Sequence, residues 1–271
     1  MAYSIEAIKA ALANKTAGGG TGGAKLTYWK PTIGEHEIRF LPYSDSTGRP
    51  FLEVLYYEKI SERRVIAPTT FGMEDPVKEL FEEKRKTKEG WEIAKNLRPR
   101  ERYYGIIIVR GEEAKGPQVW EFSKEMRDSL FAILTHKDNV DEDMFNPETG
   151  YDFTLTISQA TDPSGKPRTF NGSAVKNFIP TARKKPTKLS PKAADAKKWL
   201  DAMPKLEEVF QKQVKTPDEL LELLENYAAS QVSGGGSAKS GEGTDHAQEL
   251  GQVNASTSAV ESKLNDAFGI S

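Results

Sequence analysis

The chain has 271 residues, with 38 Lys or Arg against 40 Asp or Glu, so its net charge of −2 favours no particular class of partner. It contains no cysteine, which excludes disulfides, a thiol nucleophile and any cysteine-based zinc or iron–sulfur site. No run of about 20 apolar residues occurs and the N-terminus has no apolar signal core, so we expect a cytoplasmic protein with no membrane partner.

The first predicted unit, residues 1–24, joins a short helix to a linker. Residues 4–13 place Ile5, Ile8 and Leu12 on one helical face. Residues 17–23 are mostly glycine, a composition typical of a flexible connection. We therefore expect this unit to be tethered to a separate core.

The second predicted unit, residues 25–229, is a β-rich core. Residues 103–109 form a near-continuous apolar run, which is typical of a buried central strand. Apolar and polar side chains alternate over 151–158, the pattern of a half-buried strand. Shorter strand-like segments cover residues 37–42, 51–60, 63–67, 119–122 and 168–179.

Helical patterns follow some of these strands, so the predicted fold class is mainly β, of the α+β type. The first helix has Asp75 as its cap and Pro76 at its first position. The predicted helices cover residues 75–97, 123–134, 193–203 and 217–229. A second glycine-rich linker opens the third unit, residues 230–271, a flexible and mildly acidic tail.

Basic residues concentrate in two stretches of the core. Residues 84–110 hold nine Lys or Arg against three Glu, and residues 163–192 hold eight Lys or Arg and no acid. A single charge run is usually a solvated face, but two acid-poor runs that flank β-like segments fit a cleft for a polyanion.

Aromatic residues are interleaved with these cations. A ring that stacks on an unpaired base contributes about 1–3 kcal/mol, and neighbouring cations neutralise the phosphates between stacked bases. Because side chains alternate along a strand, half of such rings must face inward. The residues that we predict to converge in one groove are Arg98, Arg100, Arg102, Tyr103, Trp120, Phe122, Lys124, Arg168, Phe170 and Lys176.

Three segments together resemble a known family, the T-even phage helix-destabilising single-stranded DNA-binding proteins. The segments are Glu-Ile-Arg-Phe-Leu-Pro at 37–42, the basic run that leads into Tyr-Tyr-Gly-Ile-Ile-Ile-Val at 98–109, and Gly-Tyr-Asp-Phe-Thr-Leu-Thr-Ile at 150–157. Their order and spacing are similar to those of the family over roughly two thirds of the chain.

The resemblance implies an OB-fold core with added helices, whose groove binds single strands without sequence preference. The family pattern carries over to Arg39, Arg98, Arg100, Tyr103 and Phe122. It also implies a non-enzymatic protein that coats and protects DNA in phage replication, recombination and repair, in the cytoplasm of the infected bacterial host. Cooperative self-interaction is implied for the N-terminal unit.

The resemblance also concerns the zinc site of the family and its C-terminal tail. The family binds zinc through Cys and His, but residues 68–97 take that place here without either residue, so we predict no zinc, no other cofactor and a helical replacement. The family's acidic tail contacts replication and recombination proteins. In this tail the predicted partner-binding residues are Val260, Leu264, Asp266 and Phe268.

Three further classes of protein stay open at this point. The acidic run 141–143 could serve a Mg²⁺-dependent nuclease or another enzyme of DNA metabolism, although three consecutive acids cannot all face one point. An RNA-binding OB protein is the second class, because stacking does not read the 2′-hydroxyl. A protein-interaction scaffold without nucleic acid is the third.

Overall fold

The computed structural model describes residues 26–88, 90–139, 143–170 and 173–234, with the side chains of 170, 173 and 231–234 left aside. The predicted N-terminal unit, 1–24, lies outside the described residues, as does the tail from residue 235 onward. None of the helices in the described ranges combines the length and the apolar composition that crossing a membrane requires.

The core is a seven-stranded antiparallel sheet in the order β3-β2-β4-β1-β6-β9, with β5 paired to β4. A separate hairpin is formed by β7 and β8. The sheet confirms the prediction of a mainly β fold of the α+β type. The strands are β1 (Gly34–Phe40), β2 (Leu52–Tyr57), β3 (Val65–Ile66), β4 (Arg100–Val109), β5 (Gln118–Phe122), β6 (Phe153–Gln159), β7 (Thr169–Phe170), β8 (Ser173–Ala174) and β9 (Lys176–Ala182).

Strand β4 organises the sheet because it pairs with three other strands. Its first half pairs with β2, its last residues pair with β1, and β5 pairs along its opposite edge. Tyr103 and Ile107 face one apolar cluster, whereas Tyr104 and Ile106 face another. A Cβ atom at Gly105 would lie 3.0 Å from the Phe40 ring, so this position favours glycine. The predicted central strand is thereby confirmed.

The helices begin where the sequence provides caps. Asp75 accepts a hydrogen bond from the Lys78 amide at the first helix, and Ser123 accepts one from Met126 at the third. The α-helices within the described residues are α1 (Pro76–Lys84), α2 (Trp91–Leu97), α3 (Lys124–Leu134), α4 (Ala193–Asp201), α5 (Leu206–Gln211) and α6 (Pro217–Gly234); short 3₁₀ turns cover Pro68–Phe71 and Glu113–Lys115.

The expectation of one helix over 75–97 is wrong, since α1 ends at Lys84 and α2 begins at Trp91. The hydroxyl of Thr87 accepts a hydrogen bond from the Gly90 amide at 3.0 Å, which closes a turn between the helices. The intervening residues are polar and offer no apolar face to bury, so continuing the helix would gain no packing.

Residues 68–97 do not fit a zinc ion, because they contain neither Cys nor His. An apolar core occupies this region instead. Leu80 of α1 and Ile93 of α2 are fully buried together with Leu220 and Leu224 of α6. The helical replacement predicted for this segment is confirmed, and hydrophobic burial holds it together.

Strand β9 is the last strand in the order of the sheet, and helix α3 lies close to it. The amide of Arg183, just beyond the strand, donates to the Asp152 carbonyl at 2.9 Å and so points towards β6. Because amide directions alternate along a strand, the nitrogen of Pro180 points away from β6. Proline is tolerated at this position since an edge strand leaves outward amides unpaired.

Candidate nucleic-acid interface

Four of the predicted cations converge at one end of the sheet. Arg98 directly follows α2, Arg100 and Arg102 lie at the start of β4, and Lys124 begins α3 after the Ser123 cap. Together with Lys95 they line a cleft of about 390 Å³, which we call the basic cleft. The two segments that carry these charges lie together because Tyr103 of β4 pairs with Phe122 of β5.

A carboxylate lies across two of the arginines in the basic cleft. Glu58 follows β2, opposite the start of β4, because Tyr56 pairs with Arg100. Its carboxylate lies 3.1 Å from Arg100 Nε and 2.7 Å from Arg102 Nη2. The side chain of Arg100 stays 64% exposed, so its remaining donors face solvent. No carboxylate of the described residues forms an ion pair with Arg98.

A second cleft, of about 510 Å³, opens on the same side of the sheet as Tyr104 and Ile106. Tyr28 lies here because the next residue, Trp29, packs on Trp120 at the opposite face, with a centroid distance of 5.4 Å. The Tyr28 residue is 42% exposed. We call this the tyrosine cleft; its aromatic and basic lining consists of Tyr28, Tyr56, Arg63, Arg64, Phe210 and Lys215.

The two clefts share a charged wall. Glu121 of β5 accepts two hydrogen bonds of 2.5 Å from Arg64 of the tyrosine cleft, and its carboxylate lies 3.6 Å from Arg102 of the basic cleft. Tyr104 also donates to Glu121 at 3.1 Å. Burial alone would raise the pKa of Glu121, but these hydrogen bonds and cations outweigh it and hold the pKa below its usual value. The carboxylate is therefore charged and connects both linings.

The sequence prediction missed the tyrosine cleft. Arg63 and Arg64 lie in the turn before β3, far from the two basic stretches, and Lys215 lies between α5 and α6. The available signal was the alternation on β5, where Glu121 faces away from Trp120 and Phe122. A charged residue at that position indicates a polar environment on that side of the strand.

The expectation that three predicted rings face the groove is wrong. Tyr103 is 3%, Trp120 1% and Phe122 5% exposed, and all three lie in the cluster that contains Phe51 and Met126. Helix α3 covers this face of β4 and β5 with its apolar side. The guanidinium of Arg127 lies 4.6 Å from the centre of the Tyr103 ring and covers it. Bases have no access to these rings in this structure.

Arg39 is also buried, with no exposed surface. Its guanidinium donates to the Asn146 carbonyl at 2.5 Å and lies 3.8 Å from the Asp152 carboxylate, which Arg110 also contacts at 2.7 Å. Burial lowers the pKa of Arg39 to about 10, so it stays charged near neutral pH. The expectation of a groove position is wrong, because β1 points this side chain into the loop that follows residue 143.

Replacing Arg39 by methionine should lower the free energy of unfolding by about 3 kcal/mol, since a buried carboxylate loses a partner. Urea unfolding followed by tryptophan fluorescence measures this loss. Arg183→Met is the control, because the exposed Arg183–Glu37 pair should contribute less than about 1 kcal/mol. Equal stability of Arg39→Met and the unmodified chain would contradict a structural role.

Arg168 and Lys176 do not line either cleft. Arg168 is exposed in the segment between β6 and β9. Lys176 donates to the Pro31 carbonyl at 2.6 Å. The side chain of Phe170 lies outside the described part of the structure, as do Val260, Leu264, Asp266 and Phe268. Within the described residues, no group of three or more His, Asp or Glu is placed to hold a metal ion.

Comparison with known proteins shows the family of the chain. A search among curated proteins found no match. A protein-family model described as "gp32 DNA binding protein like" matches residues 33–227, which is more than two thirds of the chain and includes the whole sheet. The match supports single-stranded DNA binding in general. The chain therefore belongs to the gp32-like family of DNA-binding proteins, in agreement with the resemblance seen in its sequence.

Proposed function

We propose that the protein coats single-stranded DNA without sequence preference, using the basic cleft and the tyrosine cleft as one path, and that it carries out no reaction on the strand. The observation that carries this proposal is the meeting of Arg98, Arg100 and Lys124 in one cleft, in a chain of a DNA-binding family. Coating in phage replication, recombination and repair, in the host cytoplasm, is the wider role that we propose.

Each cleft supplies one part of the interaction. The exposed guanidinium of Arg100 and the ammonium of Lys124 can pair with phosphates, whose charge is the same for every sequence. The exposed Tyr28 ring offers a stacking surface, which every base can use. Phosphate pairing and stacking together give affinity without reading base edges, and this explains the proposed lack of sequence preference.

Binding of the full chain to labelled poly(dT) on filters tests the proposal. We expect binding that weakens steeply with salt, because each phosphate contact contributes about −0.7 to the slope of log K against log salt for a single strand. Poly(dA) should bind similarly and duplex DNA much more weakly. Absence of binding to poly(dT) at low salt would favour a protein-interaction scaffold instead.

Two more measurements distinguish DNA coating from RNA binding and from nuclease activity. Poly(rU) in place of poly(dT) measures the preference for DNA over RNA, and markedly tighter binding to RNA would favour an RNA-binding protein. Incubation of labelled strands with Mg²⁺ tests for a nuclease. Strands should remain intact over the time of the binding measurement, and their loss would favour an enzyme of DNA metabolism.

The terminal units are part of the proposal through their sequence. We propose that residues 1–24 mediate self-interaction along the strand and that residues 230–271 bind replication and recombination proteins. The tail from 231 onward has five acids and two lysines, so it can compete with DNA for the basic cleft.

Deleting residues 233–271 should therefore raise the affinity for poly(dT) by about threefold at low salt, with less effect as salt screens the attraction. Filter binding of the truncated and full-length chains measures the change. Replacing the five acids of the tail by their amides removes the negative charge but keeps the length of the tail. This second variant should raise the affinity similarly, because the charge of the tail is the proposed cause. Unchanged affinity in both would contradict competition by the tail.

A further inference from the structure

Glu58 holds two arginines of the basic cleft at once. The carboxylate oxygens contact different guanidinium groups, those of Arg100 and Arg102, at 3.1 and 2.7 Å. The Glu58 side chain is 31% exposed, and the backbone at this point has left β2 and turns towards Ile60. The carboxylate thus lies beside the cleft, bound to two of its arginines and partly open to solvent.

This arrangement has an electrostatic reason. Arg100 and Arg102 are alternate residues of β4, so their side chains lie on one face of the strand and repel each other. An anion between them offsets that repulsion and orders the two side chains. The phosphate of a nucleic acid is an anion with the same oxygen acceptors, so it seeks the same donors as the carboxylate.

Glu121 is a useful comparison because it is held far more firmly. It accepts two hydrogen bonds from Arg64 and one from Tyr104, and it also contacts Arg102, although its side chain is 26% exposed. Glu58 has a similar exposure, 31%, but it accepts a hydrogen bond from Arg102 alone and contacts Arg100 as an ion pair. Of these two carboxylates, Glu58 is the one that a phosphate displaces at the loss of fewer hydrogen bonds.

We propose that Glu58 limits the affinity for single-stranded DNA by occupying, in the free protein, the place at Arg100 and Arg102 that a phosphate takes in the complex. This inference rests on the proposed function. Displacing the carboxylate offsets part of the phosphate attraction, so the strand binds less tightly and leaves more readily. A protein that covers a template must be removed again, and a built-in competitor provides for that removal.

Glu58→Gln in the full chain tests the inference. The amide has nearly the same size and keeps one acceptor oxygen, but it lacks the charge. Affinity for poly(dT) at low salt should rise about fivefold, and the gain should shrink as salt screens the charges. Asp201→Asn is the matched control, because it also removes one negative charge but lies on α4 outside both clefts, paired with Lys197. It should leave the affinity unchanged.

A second comparison places the effect at the arginines. In the Arg100→Ala background, Glu58→Gln should produce a smaller gain, because one of the two freed guanidinium groups is absent. Circular dichroism and thermal unfolding confirm that each variant is folded. A folded Glu58→Gln variant with unchanged or weaker affinity would overturn the inference, and so would an equal gain in Asp201→Asn. Failure of the unmodified chain to bind poly(dT) would instead remove the proposed function itself.

Discussion

Replacing Arg98 and Arg100 together by alanine should weaken binding to poly(dT) on the order of 100-fold at low salt. Charge-assisted hydrogen bonds contribute about 1.5 kcal/mol each at the low end of their range, and two such losses give this factor. The slope of log K against log salt should also decrease in magnitude by about 1.4, since two phosphate contacts are lost. Poly(dA) and poly(dT) should be affected alike, because neither arginine reads a base.

The control for this variant is Lys197→Ala combined with Lys205→Ala. Both lysines are more than three-quarters exposed, both pair with a neighbouring carboxylate on a helix or at its start, and neither lines a cleft. This control removes the same charge and should leave the slope unchanged. If the two double variants changed the slope equally, net charge would explain the binding and the basic cleft would not be the site.

Leu80→Ala should lower the free energy of unfolding by about 3 kcal/mol. Leu80 is fully buried among α1, α2 and α6, and large-to-small substitution in such a core loses transfer free energy and leaves a cavity. Because hydrophobic burial stabilises this region, the chelator EDTA should leave the urea unfolding curve and its midpoint unchanged. Urea unfolding with and without EDTA measures both expectations.

Leu223→Ala is the matched control for Leu80→Ala. Leu223 packs against the same cluster but is only partly buried, so its loss should be about 1 kcal/mol. Equal losses for the two variants would contradict the central place of Leu80. A lower unfolding midpoint in EDTA would show that a bound metal contributes to this region after all.

Much of the fold could be predicted because its signals are local. The apolar run of β4 and the alternation in β6 identify these strands without knowledge of their neighbours. The caps Asp75 and Ser123 lie where the helices begin. The break between α1 and α2 was missed because most of its residues are polar helix formers, whose continuation as a helix depends on tertiary packing. Thr87 and Gly90, both poor helix formers, were the local signal for the turn.

The candidate site was harder to predict, for a reason that Tyr103 and Arg102 illustrate. These neighbours point to opposite faces of β4, so one enters the core and the other the cleft. Sequence proximity of rings and cations could not show that the face of β4 that carries Tyr103 is covered. That depends on α3, which covers the face that carries Tyr103. Cations at element ends, such as Arg98 and Lys124, were easier to place because ends of neighbouring elements meet at the sheet edge.

Pro180 affects how neighbouring molecules of this protein can associate through their sheets. In the proposed function, copies bound side by side on one DNA strand have a high local concentration, and exposed sheet edges are prone to join into fibrils. A β-strand of another molecule that paired with β9 would need a hydrogen bond from the backbone nitrogen of Pro180. Proline has no N–H and cannot donate this bond. A continuous ladder of hydrogen bonds along β9 is therefore excluded, which disfavours aggregation of neighbouring copies through this strand.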